Sequence, residues 1–260
     1  MNRISIITIC YNNPEELMAT CRSVDAQQEK PFEHLIIDGS TKPGIPEFLE
    51  NNPQPPYRRW IHEPDEGIAD AFNKGVDNAK GDILVMLNSG DTFFDESSLA
   101  KVVRAFREHP EIQWLHARYQ LERGGQHVII GKPYEASKLY RGMRSICHQT
   151  MYVRKEMYDK YGKFDTNLRI AMDYDFLIRM RNEPFYFLPE PIVTFAPQGI
   201  SSSQYHRSLE ESTKVFTKYF SNTFLHRLWQ MRLKVLHALL HSPVGKFLYR
   251  VKTRLKLENM

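Results

Sequence analysis

Two stretches of this chain concentrate side chains that can do chemistry. In the first, EPDEGIADAFNKG (residues 63–75) precedes the apolar run DILVML, which stops abruptly at LNSGD (residues 87–91). A buried strand ending in an acidic, glycine-containing turn sets a carboxylate at a sheet edge. There a divalent cation can bridge it to a diphosphate and offset the charge that builds as a nucleoside diphosphate leaves. Asp91 is the ligand this pattern names, and the alternative is an Asn-Ser-Gly-Asp turn with no further role. On the helix expected after Gly67, Asp70 and Asn73 lie three apart and Asp70 and Lys74 four apart, so they share a face. That face can border a ligand, or Asp70 and Lys74 can simply pair, worth roughly 0.2–0.5 kcal/mol.

The second stretch is AMDYDFLIR, with Asp173 and Asp175 at the start of an expected helix. The macrodipole favours carboxylates there without any catalytic duty. Two residues apart on a helix, the pair points in different directions and does not share one role.

The elements that must position these groups read as an α/β pattern. ISIITI, HLIID, RRWIHE and DILVML are short apolar runs that alternate with helical stretches at Pro14–Gln28 and Gly67–Ala79, which argues for parallel buried strands. Ligands of such sheets bind beyond the carboxyl ends of the strands. Those ends carry Tyr11 and Asn12, Asp38 and Gly39, His62 to Asp65, and Asn88 to Asp91, four polar clusters on one edge. A helix is expected over Ser98–Glu108, then a hairpin from IQWLHARYQL and HVIIGK split by Gly124 and Gly125. A helix at Lys155–Tyr161, another from near Met172 through Arg181, and a strand in PFYFLPEPIVTFAP complete the pattern.

Composition is that of an ordinary globular chain, 260 residues with 42% hydrophobic and 25% charged. Cys10, Cys21 and Cys147 are widely spaced with no CxxC pair, which fits free thiols in a reducing compartment rather than a zinc site. The first 13 residues lack the apolar core of an export signal, and nowhere do about 20 apolar residues run together to span a bilayer. The expected location is therefore cytoplasmic. The net charge of +4 is uneven, because residues 223–257 hold no Asp or Glu among many Lys, Arg and His. FLHRLWQMRLKVLHALLH is basic and helix-compatible. After Pro243, Val244, Phe247, Leu248, Val251 and Leu255 form one apolar stripe. Apolar stripes joined to unrelieved basic charge are the signature of helices lying on an anionic membrane surface. Nucleic acid is a weaker reading of this charge, and helices packing on the rest of the chain or on a second copy are the plain alternative.

SIITICYNN, LIIDGS, EPDEGIADAFNKG, LNSGD, CHQTMYVRK, FDTNLRIAMDYDFLIR and GISSS occur in an order and at spacings that resemble family 2 inverting glycosyltransferases of the GT-A fold. The likeness is greatest to the branch with bacterial colanic-acid, capsule and O-antigen enzymes, and it covers about residues 3–205. The resemblance implies a Rossmann-like nucleotide-diphospho-sugar transferase fold with a mixed, mainly parallel sheet, assigned to residues 1–222, and the charge and apolar pattern add basic amphipathic helices at 223–260. It also implies a nucleotide-sugar donor, a saccharide or polyprenyl-linked saccharide acceptor at the cytoplasmic leaflet of the inner membrane, and Mn or Mg as cofactor.

Carried onto this sequence, the resemblance puts Tyr11 on the donor base and Asp38 in a hydrogen bond with that base. A core tyrosine and an Asx turn into Gly39 are the alternatives. Asn12, Asp70, Asn73 and Asn88 fall along the same donor edge. Asp173 matches the family's Glu-Asp motif, with Met172 in place of the glutamate, and takes the role of base; Asp175 is its alternative. His148 and Gln149 match a His-Gln pair, with His148 a candidate contact to acceptor or phosphate. LNSGD lacks the first carboxylate of the usual Asp-x-Asp, so the metal expectation rests on Asp91. Two competing functions remain: a nucleotide-sugar-binding scaffold without catalysis, and nucleotidyl transfer. The second usually needs a glycine-rich basic N-terminal stretch, which ITICYNNPEEL does not supply.

Overall fold

The computed structural model describes residues 2–123, 125–196, 204–221, 223–242 and 245. The GISSS motif is residues 199–203 and the stripe residues from Val244 to Leu255 lie beyond 242, so both fall outside the described residues.

Four strands, β1 (Ile4–Cys10), β2 (Glu33–Asp38), β3 (Arg58–His62) and β4 (Ile83–Met86), are parallel in the order β3-β2-β1-β4. Burial on both faces accounts for the apolar runs of β1, β2 and β4, whereas β3, RRWIH at the end of the strand order, is only partly buried. Along β4 and just beyond, Ile83, Val85 and Leu87 enter one core while Leu84 and Met86 enter the opposite one. The helices expected between these strands form as α1 (Pro14–Asp25) and α3 (Ile68–Asn78). Asn13 caps α1 by accepting from the Glu16 N–H. The polar segment after Asp38 also holds a helix, α2 (Gly44–Asn51), whose Ile45 and Leu49 pack with Leu17 and Cys21 of α1.

Beyond β4 the sheet turns mixed. A two-residue strand, β5 (Thr92–Phe93), leads to α4 (Ser98–Glu108) and to the hairpin of β6 (Trp114–Arg123) and β7 (Gln126–Ile130). β8 (Tyr152–Arg154) runs antiparallel to both β4 and β6, joining the parallel half to the hairpin. α5 (Glu156–Tyr161) and α6 (Met172–Arg179) follow. Then β9 (Phe185–Phe195) lies parallel to β6 and antiparallel to β5, giving nine strands in one sheet among the described residues. β5 and β8 are too short for a periodicity to show in the sequence, and long-range pairing alone defines them.

Two helices close the described chain, α7 (Tyr205–Tyr219) and α8 (Phe224–His241). α8 is seated by His226, Gln230 and Leu233, all buried. His226 Nδ1 lies 2.8 Å from the Tyr140 carbonyl, and its ring stacks on Phe216 of α7. Its opposite side, with Phe224, Leu225, Leu228, Met231, Val235 and Leu239, is exposed. No described helix is long and apolar enough to cross a membrane.

Candidate active site

The carboxyl ends of β1 to β4 meet on one edge, as parallel strands in one sheet require. Tyr11 leaves β1 with 61% of its surface exposed, an open aromatic face able to stack on a flat ring. Asn12 follows in the left-handed region at φ 55° and clamps the neighbouring loop. Its backbone N–H donates to Ser40 Oγ, and its Oδ1 accepts from the N–H groups of Thr41 and Lys42 at 3.1 and 3.0 Å.

Asp38 ends β2 fully buried. Its Oδ1 accepts from Ser40 N–H at 3.0 Å, an Asx turn, while Oδ2 lies 2.7 Å from His62 Nδ1 at the end of β3. The carboxylate is thus held from both sides with His62 half exposed beside it. Gly39 is required here by contact: a Cβ would stand 1.8 Å from Asp65 Oδ2, so the Asp65 carboxylate can lie against the strand end only because position 39 has no side chain. The sequence places these two clusters on one edge, but the particular His62 and Asp65 contacts join segments more than twenty residues apart and are decided by packing.

On α3, Asp70 and Lys74 form the intrahelical pair, 3.1 Å apart, and Asp70 also accepts from Glu66 N–H. Asn73 is turned the other way. Its amide exchanges two 2.9 Å hydrogen bonds with the backbone of Phe164, so it ties α3 to the loop before α6. In this arrangement Asn73 clamps α3 to that loop.

The turn after β4 is built around Thr20 of α1, whose hydroxyl meets Gly90 N–H and the Asp91 carbonyl. Gly90 stands at φ 94°, a conformation suited to glycine. Asp91 is buried, 3% exposed, with Oδ2 accepting from Gln149 Nε2 at 2.7 Å and Oδ1 from Ala196 N–H at 2.8 Å. Burial outweighs these bonds and raises its carboxyl to about 6. Both oxygens already face N–H donors, and the described residues gather no three Asp, Glu, His or Cys side chains able to hold a metal ion. In this arrangement Asp91 braces its turn; a divalent cation at this edge would be held by a carboxylate together with diphosphate oxygens and water.

His148 and Gln149 lie in a short 3-10 turn (His148–Thr150) and reach in different directions. Gln149 goes to Asp91. His148 Nε2 is 3.2 Å from Asn88 Nδ2 and its Nδ1 is 3.4 Å from Asp173 Oδ2, with the edge of Phe72 against the ring. The histidine therefore joins the end of β4 to the first turn of α6. Asp173 itself accepts from Tyr174 N–H at 2.7 Å and stays partly open to solvent. Asp175 is buried instead. Arg179, Lys218 and the Tyr219 hydroxyl surround it at 2.9 to 3.2 Å, an ion-pair cluster that leaves it no access to a substrate.

Residues 5–162 match the model for glycosyl transferase family 2. This chain belongs to glycosyl transferase family 2. An uncharacterized glycosyltransferase of Mycobacterium tuberculosis is 31% identical over 179 residues, 68% of each chain. A PGL/p-HBAD biosynthesis glycosyltransferase of Mycobacterium bovis is 29% identical over 182 residues, 69% of this chain and 70% of that one. Among solved structures, S. aureus TarS 1-349 in complex with UDP-GlcNAc superposes with a TM-score of 0.65 at 16% identity, covering 96% of this chain and 73% of that one. A second TarS 1-349 structure is covered over 65% of its length. The mannosyltransferase PcManGT from Pyrobaculum calidifontis, in complex with GDP-Man and Mn2+, superposes with a TM-score of 0.63 at 16% identity, covering 99% and 81%. At that identity the likeness shows the shared fold, and the family membership makes the chain a glycosyltransferase.

Proposed function

We propose that the chain transfers a sugar from a nucleotide-diphosphate donor to a hydroxyl of a saccharide or polyprenyl-linked saccharide, with inversion, and that Asp173 is the base. One observation carries this reading. His148 links Asp173 directly to Asn88 at the carboxyl end of β4, so a partly open carboxylate stands at the edge where a donor would lie. The acceptor oxygen attacks the anomeric carbon as the bond to the diphosphate breaks on the opposite side, and the hydroxyl proton passes to Asp173. Tyr11 and the Asp38–His62 pair offer a stacking face and a polar rim for the donor base.

The test is a thermal-shift screen of UDP-, GDP- and dTDP-sugars with and without Mn2+ or Mg2+, followed by transfer assays with the donor that stabilises the fold. Binding without transfer or donor hydrolysis would favour the scaffold reading, whose support is Asn88 and Met172 standing where relatives often carry carboxylates.

A location at the cytoplasmic face of the membrane is part of the same reading, and α8 supports it. Its polar side is the seated side, whereas the exposed side is a continuous apolar strip with Arg227, Arg232 and Lys234 on the same helix. Two copies meeting through this strip would bring like charges together with no acidic residue between 223 and 257 to relieve them. An anionic bilayer satisfies both the strip and the charge. Co-sedimentation with vesicles of anionic lipid should fall for Leu228→Glu combined with Met231→Glu; unchanged binding removes α8 from the argument.

A further inference from the structure

The helix that carries Asp173 begins without a side-chain cap of its own, because its N-cap residue is Ala171. The approach to this helix is held by a single carboxylate from another helix, which takes the N–H groups of the N-cap residue and of the two residues before it. Glu211 of α7, 6% exposed, accepts through Oε2 from three successive backbone N–H groups, Arg169 at 3.0 Å, Ile170 at 2.8 Å and Ala171 at 3.1 Å. Its Oε1 accepts from Arg207 Nε, one turn back on α7, at 3.1 Å. A buried carboxylate gathering three main-chain donors at a helix N-terminus is strongly bound and rigidly oriented.

The same helix grips α6 a second time. Seven and eight residues after Glu211, two turns along the same face, Lys218 and Tyr219 meet Asp175 at 3.2 and 2.9 Å. Asp173 lies between these two attachments. The segment held by Glu211 also braces the opposite wall, since Arg169 Nη1 donates to the Glu66 carbonyl at 2.7 Å beside Gly67. One residue of α7 thus fixes the backbone leading into the base and, through Arg169, the turn that starts α3.

We propose that Glu211 is a positioning residue for glycosyl transfer, setting the backbone that aims the Asp173 carboxylate. This rests on the reading of Asp173 as base. Glu211 touches neither donor nor acceptor, so its loss lowers the rate of the chemical step and leaves donor affinity in place. Small displacements of a catalytic group are costly, and a fall of about 10- to 100-fold in kcat is expected for Glu211→Ala. Glu211→Gln keeps an amide oxygen that can accept the same N–H groups and restores most of the rate.

The experiment compares wild type, Glu211→Ala, Glu211→Gln, Asp173→Asn and the exposed neighbour Glu210→Ala. It measures kcat, the donor dissociation constant by calorimetry, and amide hydrogen exchange at residues 169–171. The inference expects faster exchange at 169–171 and the kcat loss in Glu211→Ala, with donor affinity within about twofold, partial rescue by Gln and no change in Glu210→Ala. Should the alanine variant fail to fold, Glu211→Asp, which withdraws the carboxylate by one methylene, takes its place. A folded Glu211→Ala with wild-type kcat, or a kcat loss matched by an equal loss of donor affinity, overturns it. Full activity in Asp173→Asn overturns the base assignment as well, whereas an inactive Asp173→Asn beside a fully active Glu211→Ala overturns the role of Glu211 alone.

Discussion

Gln149 Nε2 donates to Asp91 Oδ2 at 2.7 Å, joining residues 58 apart in sequence, while the adjacent His148 turns to Asp173. Neighbouring residues in one short turn thereby serve the two carboxylates that matter most at this edge. One is buried and braced, the other partly open.

The open one makes the clearest prediction. Asp173→Asn keeps the shape and the contact with Tyr174 N–H but cannot take a proton. Transfer should fall about 10²- to 10⁴-fold, the span usual for loss of a general base, with the donor still bound in calorimetry. Activity near wild type would send the role of base elsewhere.

Asp91 predicts a pH dependence of stability. Its carboxyl is raised from 3.8 to about 6 by burial, so between these values the folded chain holds more protons than the unfolded one. Stability from this group is therefore full below about pH 4 and declines as pH rises through 6, by on the order of 3 kcal/mol in all. Urea midpoints measured from pH 4 to pH 7.5 should show this component in wild type and lack it in Asp91→Ala. Parallel curves for the two would show that Asp91 does not titrate in this window.

Asp38 and His62 predict a loss at the other end of the site. Asp38→Ala leaves His62 Nδ1 and Ser40 N–H without their buried acceptor and loosens the strand end where the donor base is proposed to lie. Nucleotide affinity should weaken by about 1–3 kcal/mol, some 5- to 150-fold, read by calorimetry with the nucleotide selected in the donor screen. Equal affinity in the two proteins would place the base somewhere else.

Gly67 predicts a backbone effect. It stands at φ 126°, and an added Cβ would lie 2.6 Å from Arg169 Nη1. Gly67→Ala should cost about 1–3 kcal/mol in chemical denaturation, from the strained φ and the displaced arginine together. A variant as stable as wild type would mean that this turn relaxes freely.

Much of this architecture is legible in the residues themselves. The runs ISIITI, HLIID and DILVML are apolar throughout because their strands are covered on both faces, and strands so covered bind ligands at one end. That reasoning reaches the four polar clusters, the α3 pair of Asp70 and Lys74, the β6–β7 hairpin and, with the family motifs, Asp173. Local order accounts for the clusters, the pair and the hairpin, since period, turn chemistry and spacing act over a few residues, whereas Asp173 stands out by the resemblance alone.

The partners of those residues are a matter of tertiary structure. Asp91 has the look of an exposed ligand in LNSGD, yet Gln149 and Ala196 arrive from 58 and 105 residues away and close around it. Asp175 is the alternative to Asp173 in the sequence, and the approach of Lys218 and Tyr219 closes it into a buried ion-pair cluster while Asp173 stays partly open. Glu211 sits in a helix with no motif of its own, and its role exists only because α7 packs on the start of α6. A sequence specifies which groups are present and how the nearby chain turns. Whether a carboxylate is buried, paired or open depends on what long-range packing brings to it.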